Sequence, residues 1–442
     1  MPLFAVIAAG ALYGFHSGGI DLAAVVIEIK RLASIPVLLA IPLFTFAGYL
    51  LGESNAPKRL VRVTHAFLGW FPGGLAVVAI MACALFTAFT GASGVTIVAL
   101  GALLYPALKE ARYPNNFNLG LITSSGSLGI LFAPSLPLIL YGVVTQQLSL
   151  DQPISIDDLF LAGIFPGLLM LAVLSGYSVM VRKRSGGAAA NEPFSVRECG
   201  LAIREAIWEL PFPFLLLGSI YSGLLAVSEA AALTVVYVFI VEVLVYREIP
   251  LRELARITRE SMVMVGGILI ILGVSLASTN YIIDIELPAR LFETIREHVD
   301  SRWAFLALLN LFLLGVGMML DIFSALVILV PLLVPVAMSY GIHPVHLGIL
   351  FLANMQLGYF TPPVGLNLFI ASYRFERPIL ELYRATLPFF FLLLGAVLVI
   401  TYCPRLSLFL IESRRPHRLF SLYSANIAYS VCESWKTGLC CT

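Results

Sequence analysis

Six stretches of this chain, residues 35–51, 73–89, 159–181, 263–277, 305–320 and 387–402, carry few or no charges over nearly the length that crosses a hydrocarbon core. A chain of this kind folds as an all-α polytopic membrane protein. Composition agrees, since 60% of its residues are hydrophobic and 12% charged, against about 45–50% and about 25% in soluble domains. An outer-membrane barrel would alternate in short segments of weak hydropathy, which these continuous apolar runs contradict. The net charge of +1 excludes a nucleic-acid footprint. The six cysteines show neither metal-ligand nor disulfide-framework spacing. Residues 2–15 lack a basic leader and a small-residue cleavage site, so they read as a short first span rather than a cleaved signal.

Sliding the chain against itself reveals a repeat. An offset of 229 positions pairs Pro106 with Pro335, Leu128-Gly129 with Leu357-Gly358 and Pro134 with Pro363. The polar, amphipathic stretches recur at about the same distance: 21–33 with 250–262, and 56–70 with 286–300. These matches divide the chain into repeat 1 (1–181), a polar linker (182–209), an extra span (210–227), repeat 2 (229–404) and a polar tail (405–442). Arg182-Lys183-Arg184 and Arg247, Arg252, Arg256 and Arg259 are basic flanks that would face the cytoplasm. Counting crossings leaves the relative orientation of the repeats open.

In lipid every backbone polar group needs a partner, so glycine, proline and hydroxyl clusters inside apolar runs belong where protein or a water-filled cavity surrounds them. Three such breaks occur: 90–94, 123–137 and 354–367. The second and third occupy equivalent places in the two repeats. Helix ends exposed at such breaks offer carbonyl groups to a small cation and N–H groups to an anion. Close helix packing by small residues is the competing explanation of each break.

Charges inside apolar runs are costly. Asp321, paired by the offset with Ala92, is the best candidate for a charged group on a transport path, its alternative being a helix N-cap. Glu229 reads as a first-turn acid behind Ser228, and Glu242 as an interfacial acid near Arg247. His343 and His346 have no Cys, Asp or Glu beside them and read as capping or solvated loop residues. No G-x-S-x-G elbow, Walker or dinucleotide glycine pattern is present. A membrane-embedded enzyme would need paired acids or a His–acid set at one depth, so the alternative of an enzyme is weak and no organic cofactor is expected.

The motifs Ile41-Pro42-Leu43-Phe44, Gly74-Leu75-Ala76, Leu128-Gly129-Ile130 and Pro134-Ser135-Leu136-Pro137-Leu138-Ile139 occur with Asp321, Pro344-Val345-His346 and Thr361-Pro362-Pro363-Val364-Gly365-Leu366-Asn367-Leu368. Together they resemble the large membrane subunit, the DctM type, of tripartite ATP-independent periplasmic (TRAP) transporters over residues 2–410. That resemblance implies a sodium-coupled importer of a small organic anion in the bacterial inner membrane. It implies an elevator mechanism with two inverted repeats and helical hairpins, a small four-span partner of DctQ type and a periplasmic binding protein of DctP type. A stand-alone ion-coupled carrier shares nearly all the same features. Two departures from the family pattern are the tail after residue 410 and Gly91-Ala92-Ser93-Gly94, where relatives carry Gly-Ser-Ser.

On this reading sodium, as a transported ion, takes oxygens from Gly91, Ser93, Gly126, Asp321, Asn354, Thr361, Gly365 and Asn367. The substrate carboxylate meets Ser125, Gly126, Ser127, Pro134, Ser135, Thr361, Pro362 and Pro363, with few cationic side chains nearby. The amphipathic stretches 56–70 and 286–300 would lie along the bilayer interface as arms joining moving and fixed parts.

Overall fold

The computed structural model describes residues 35–70, 73–148, 154–184, 195–299 and 301–413, with a few isolated positions before residue 35. The first span expected at 2–15 lies mostly outside the described residues, as does the tail beyond residue 413. No strand occurs among the described residues. Among the described residues, six helices are long and apolar enough to cross a membrane, or seven if one bent pair counts as a span. The chain is a multi-pass helical membrane protein.

A 3-10 turn, Pro36–Leu39, leads into α1 (Ala40–Glu53), which is followed by the amphipathic α2 (Ala56–Leu68). Next come α3 (Gly74–Thr90) and α4 (Ser93–Glu110), an antiparallel hairpin joined by Gly91 and Ala92 alone. Gly91 takes φ +65°, a left-handed conformation that suits a residue without Cβ and lets the chain reverse in two residues. A broken helix follows: α5 (Asn115–Ser125), a 3-10 turn at Leu128–Leu131 and α6 (Leu136–Gln146), the two arms bent by 41°. Then α7 (Ile156–Ala162) and α8 (Ile164–Arg184) complete a span.

Between α8 and α12 lie α9 (Val196–Glu205), α10 (Pro211–Tyr221) and α11 (Val227–Phe239), which runs on into a π-helical stretch, Ile240–Val245. The extra span expected at 210–227 is instead the 11-residue α10, about 17 Å long at the α-helical rise and too short to cross alone. Apolarity there does not set length, because the helix ends at Tyr221, just before Gly223 at φ +73°.

The second half repeats the order of the first. Its helices are α12 (Leu251–Asp284), α13 (Leu287–Arg296), the hairpin α14 (Arg302–Met319) and α15 (Ile322–Ser339), the broken pair α16 (Pro344–Gly358) and α17 (Leu366–Phe375), and α18 (Ile379–Tyr402). The third break therefore begins at Tyr359, not at Asn354, which sits inside α16. A further helix occupies 405–413, the start of the expected polar tail.

Packing interleaves the halves. Helix α4 of the first hairpin lies on α17, and α15 of the second hairpin lies on α6. Helices α14 and α16 approach closely at two glycines, where a Cβ on Gly317 would sit 3.1 Å from the Gly358 Cα. Outside this core, α1 packs on α11 and α12. Glu229 accepts the Ala226 N–H at 2.9 Å, so it does cap α11, although the cap position is Ala226 rather than Ser228. His343 caps α16 as expected, its Nδ1 facing the Val345 N–H at 3.2 Å. His346 departs from expectation: it is buried one turn in, with its ring 3.2 Å from the Ser407 hydroxyl.

Candidate functional site: two hairpin tips and two broken helices

The first hairpin tip reaches into the second half. Ser93 is the first residue of α4, and Ala92 before it offers no side-chain cap. The Ser93 hydroxyl donates to Asn367 Oδ1 at 2.8 Å, across 274 residues of sequence. Asn367 is fully buried at the start of α17, and its Nδ2 donates to the Thr123 carbonyl of α5 at 3.4 Å. Behind the tip, Thr87 donates to the Gly126 carbonyl at 2.7 Å and lies 2.6 Å from Thr96 Oγ1. One asparagine thus joins the first hairpin, the first broken helix and the second.

The second tip engages the break after α16. The Gly365 N–H donates to the Met318 carbonyl at 3.1 Å, and the Ile322 N–H donates to the Tyr359 hydroxyl at 2.8 Å. Asp321 caps α15, its two oxygens accepting from the Ser324 N–H at 3.0 Å and the Ser324 hydroxyl at 2.6 Å. The residue is exposed. Of the two roles expected for Asp321, the structure gives the cap, since both oxygens face Ser324.

Other expected site residues divide into two groups. Ser125, Ser127, Gly126, Pro134 and Ser135 are buried in the second break. Ser127 lies 3.5 Å from the Gln356 carbonyl, which ties the two broken helices together. The Ser125 hydroxyl is buried against the Cys83 thiol, and the Ser135 hydroxyl is fully buried without a partner. A buried hydroxyl left in this state costs roughly 1–3 kcal/mol, which a polar guest would recover. Gly91 is buried at the tip, packed against the start of α6 at Leu136. Thr361 and Pro362 are half-buried and Pro363 is exposed; the Thr361 hydroxyl bonds back to Leu357 at 2.7 Å, and the Tyr383 hydroxyl donates to the Pro363 carbonyl. Cis peptide bonds precede Pro134 and Pro363.

Asn354 is not brought to this place by any hydrogen bond. Its Nδ2 donates to Asn310 Oδ1 at 2.6 Å and to the Leu350 carbonyl at 2.9 Å, and Asn310 in turn donates to Thr401 at 3.0 Å. These contacts lock α16 to α14 and α18. Glu242 also moves from its expected place: it is fully buried and pairs with Arg59, not with the exposed Arg247. Sequence reasoning passed over Thr87, Thr96 and Tyr359. The two threonines lie within one turn of the first break, a signal that spacing offered; Tyr359 gave none.

A cleft of about 740 Å³ leads from the outside to Gly94, beside the Ser93 contact, between α1, α4, α12 and α17. Its lining, which includes Tyr49, Val98, Phe369 and Tyr373, carries no Lys or Arg among the described residues. Its acids Glu53 and Glu260 are held by Arg256 at 2.6 and 3.3 Å. Helix termini, hydroxyls and amides, rather than free charges, are what this site presents to a guest.

Interleaved hairpins and broken helices inside a multi-pass membrane protein define a transporter core. The solved structure of the Alcanivorax borkumensis YdaH transporter has the same fold, with a TM-score of 0.62, 14% identity and 86% of each chain covered. The sequence model of the tripartite ATP-independent periplasmic transporter, DctM component, matches residues 1–406, and the chain belongs to that family. It is 37% identical over 378 residues to the C4-dicarboxylate TRAP transporter large permease protein DctM of Rhodobacter capsulatus, covering 84% of this chain and 86% of the relative. It is 33% identical over 414 residues to the ectoine/5-hydroxyectoine large permease protein UehC of Ruegeria pomeroyi, covering 92% and 94%. The chain is a large permease subunit of a TRAP transporter.

Proposed function

We propose that this permease imports a small organic anion bearing a carboxylate, driven by co-transported sodium, across the bacterial inner membrane. The halves 1–181 and 229–404 act as inverted repeats of one duplicated unit, and their hairpins and broken helices move as an elevator against a scaffold. The observation that carries this reading is the Ser93–Asn367 bond, which ties both halves at one buried place, with the unpartnered Ser135 hydroxyl in the adjoining break. Neutral oxygens there suit sodium, and the N-termini of α4, α6 and α17 suit a carboxylate. Relatives named for C4-dicarboxylates and for ectoine both handle carboxylate-bearing solutes, which favours this substrate class.

Family membership implies a DctQ-type membrane partner and a DctP-type binding protein. A relative named as an isethionate permease DctMQ is longer than this chain, which covers 59% of it. The test is uptake of succinate into proteoliposomes under an imposed sodium gradient, with and without the two partners. Uptake that needs sodium and both partners supports the reading. Sodium-independent uptake overturns the coupling, and robust uptake by this polypeptide alone makes it a stand-alone carrier.

A further inference from the structure

Both amphipathic helices pack on the hairpin of their own half, α2 on α3 and α13 on α15, and α2 carries a buried ion cluster besides. Arg59 of α2 is nearly buried and faces three carboxylates, donating from Nε to Glu209, from Nη1 to Glu248 and from Nη2 to Glu242 at 3.1 Å. Its guanidinium carbon also lies 4.0 Å from the centre of the Tyr246 ring. Glu248 is fixed in turn by the Asn55 N–H at 2.7 Å. Burial pushes the Glu209 carboxyl above its ordinary value. At Glu248 burial acts the same way, but hydrogen bonds from Arg59 and Asn55 outweigh it and hold that carboxyl below its ordinary value. One turn on, Arg62 pairs with Glu198 at 2.7 Å and with Glu205, both on α9.

All of these acids lie between α8 and α12, on α9, on the turn before α10, or on the π-helical stretch and loop that lead into α12. The second arm differs. Helix α13 makes no ion pair among the described residues; Leu291 and Ile295 meet apolar side chains of α14 and α15 around a cavity of about 300 Å³. Apolar surfaces can slide with little loss, whereas separating a buried ion cluster leaves charges uncompensated.

We infer that Arg59 is a positioning residue that makes α2 a fixed part of the scaffold, whereas the apolar contacts of α13 let the second hairpin slide past it. The inference rests on the moving-hairpin reading above. Bending on the first side is then confined to the turn after α2, where Gly69 ends the helix and Gly73 takes φ +88°.

Two engineered crosslinks in the full chain, assembled with its partners, separate the possibilities. The first bridges R62C to E198C with a short bifunctional reagent, between residues already in contact. The second joins G52C to V95C, positions where a Cβ on Gly52 would sit 3.4 Å from Val95 Cγ1 and which span scaffold and hairpin. Sodium-driven succinate uptake should stay within about twofold after the first crosslink and fall more than about tenfold after the second. The yield of the first crosslink should be the same in sodium and in choline, and should fall severalfold in Arg59→Met. Loss of uptake on crosslinking 62 to 198, a sodium-dependent yield for that pair, or an unchanged yield in Arg59→Met each overturns the inference. Full uptake with 52 tied to 95 overturns the moving-hairpin reading instead, leaving the attachment of α2 to be read from the crosslink yields.

Discussion

The two hairpins turn in the same number of residues by different means. At the first, Gly91 adopts a left-handed conformation, Ala92 leaves the start of α4 without a side-chain cap, and the Ser93 hydroxyl reaches Asn367. At the second, Leu320 is extended and Asp321 turns its carboxylate back onto Ser324. The tip that carries a formal charge uses it to close its own helix, and the tip without one reaches across the molecule. Function at such a site follows from which polar groups the local backbone leaves free, and a formal charge is a poor guide to that. The same asymmetry continues at the breaks. Asn367 is an amide where the first repeat has Leu138, and only the amide binds the opposite half.

Replacing Asn367 by leucine breaks this comparison most directly, because it gives the second repeat the residue of the first. Ser93 Oγ and the Thr123 carbonyl would each lose a partner in a buried place, at roughly 1–3 kcal/mol for each unsatisfied group. The sodium midpoint of uptake should rise by on the order of tenfold or more, one factor of ten corresponding to about 1.4 kcal/mol. A variant that folds and keeps the wild-type midpoint would place the sodium site away from Asn367.

Asn354→Ala should act on stability alone. The substitution removes the bonds to Asn310 and the Leu350 carbonyl and lowers folding stability by about 1–2 kcal/mol. Thermal unfolding in detergent should show that loss, while the sodium midpoint stays unchanged. A shifted midpoint at unchanged stability would instead make Asn354 a ligand, as its sequence position first implies.

How much of this was legible in advance follows from the same distinction between local and distant partners. The spans, the breaks at Gly91 and after Ser125, and the His343 cap are set by neighbours within a few residues, and sequence pattern reaches that far. Glu242 was misplaced because its partner, Arg59, is 183 positions away and no local signal pairs them. The placement of His346 depends on Ser407 and that of Asn354 on Asn310, again beyond any local pattern. The segment 210–227 was misread for another reason: hydropathy measures how apolar a stretch is, and Gly223 ends this one's rise after α10.

The smallest expected effect sharpens the comparison furthest. Asparagine is about as good an N-cap as aspartate, so Asp321→Asn preserves an acceptor for the Ser324 N–H and removes the charge together with the acceptor now facing the Ser324 hydroxyl. If the carboxylate serves α15 alone, sodium midpoint and uptake rate should both stay within about twofold, a free-energy change of roughly half a kcal/mol. Asp321→Ala should then cost about 1 kcal/mol of stability through the lost cap, visible in thermal unfolding, with the sodium midpoint again little changed. The pair of variants separates charge from geometry. A large midpoint shift in Asp321→Asn, with unfolding temperature unaltered, would mean that the carboxylate leaves Ser324 in another conformation of the hairpin to meet the cation. The charged tip would then join the site during the transport cycle, and the contrast between the two hairpins would belong to one state of the protein only.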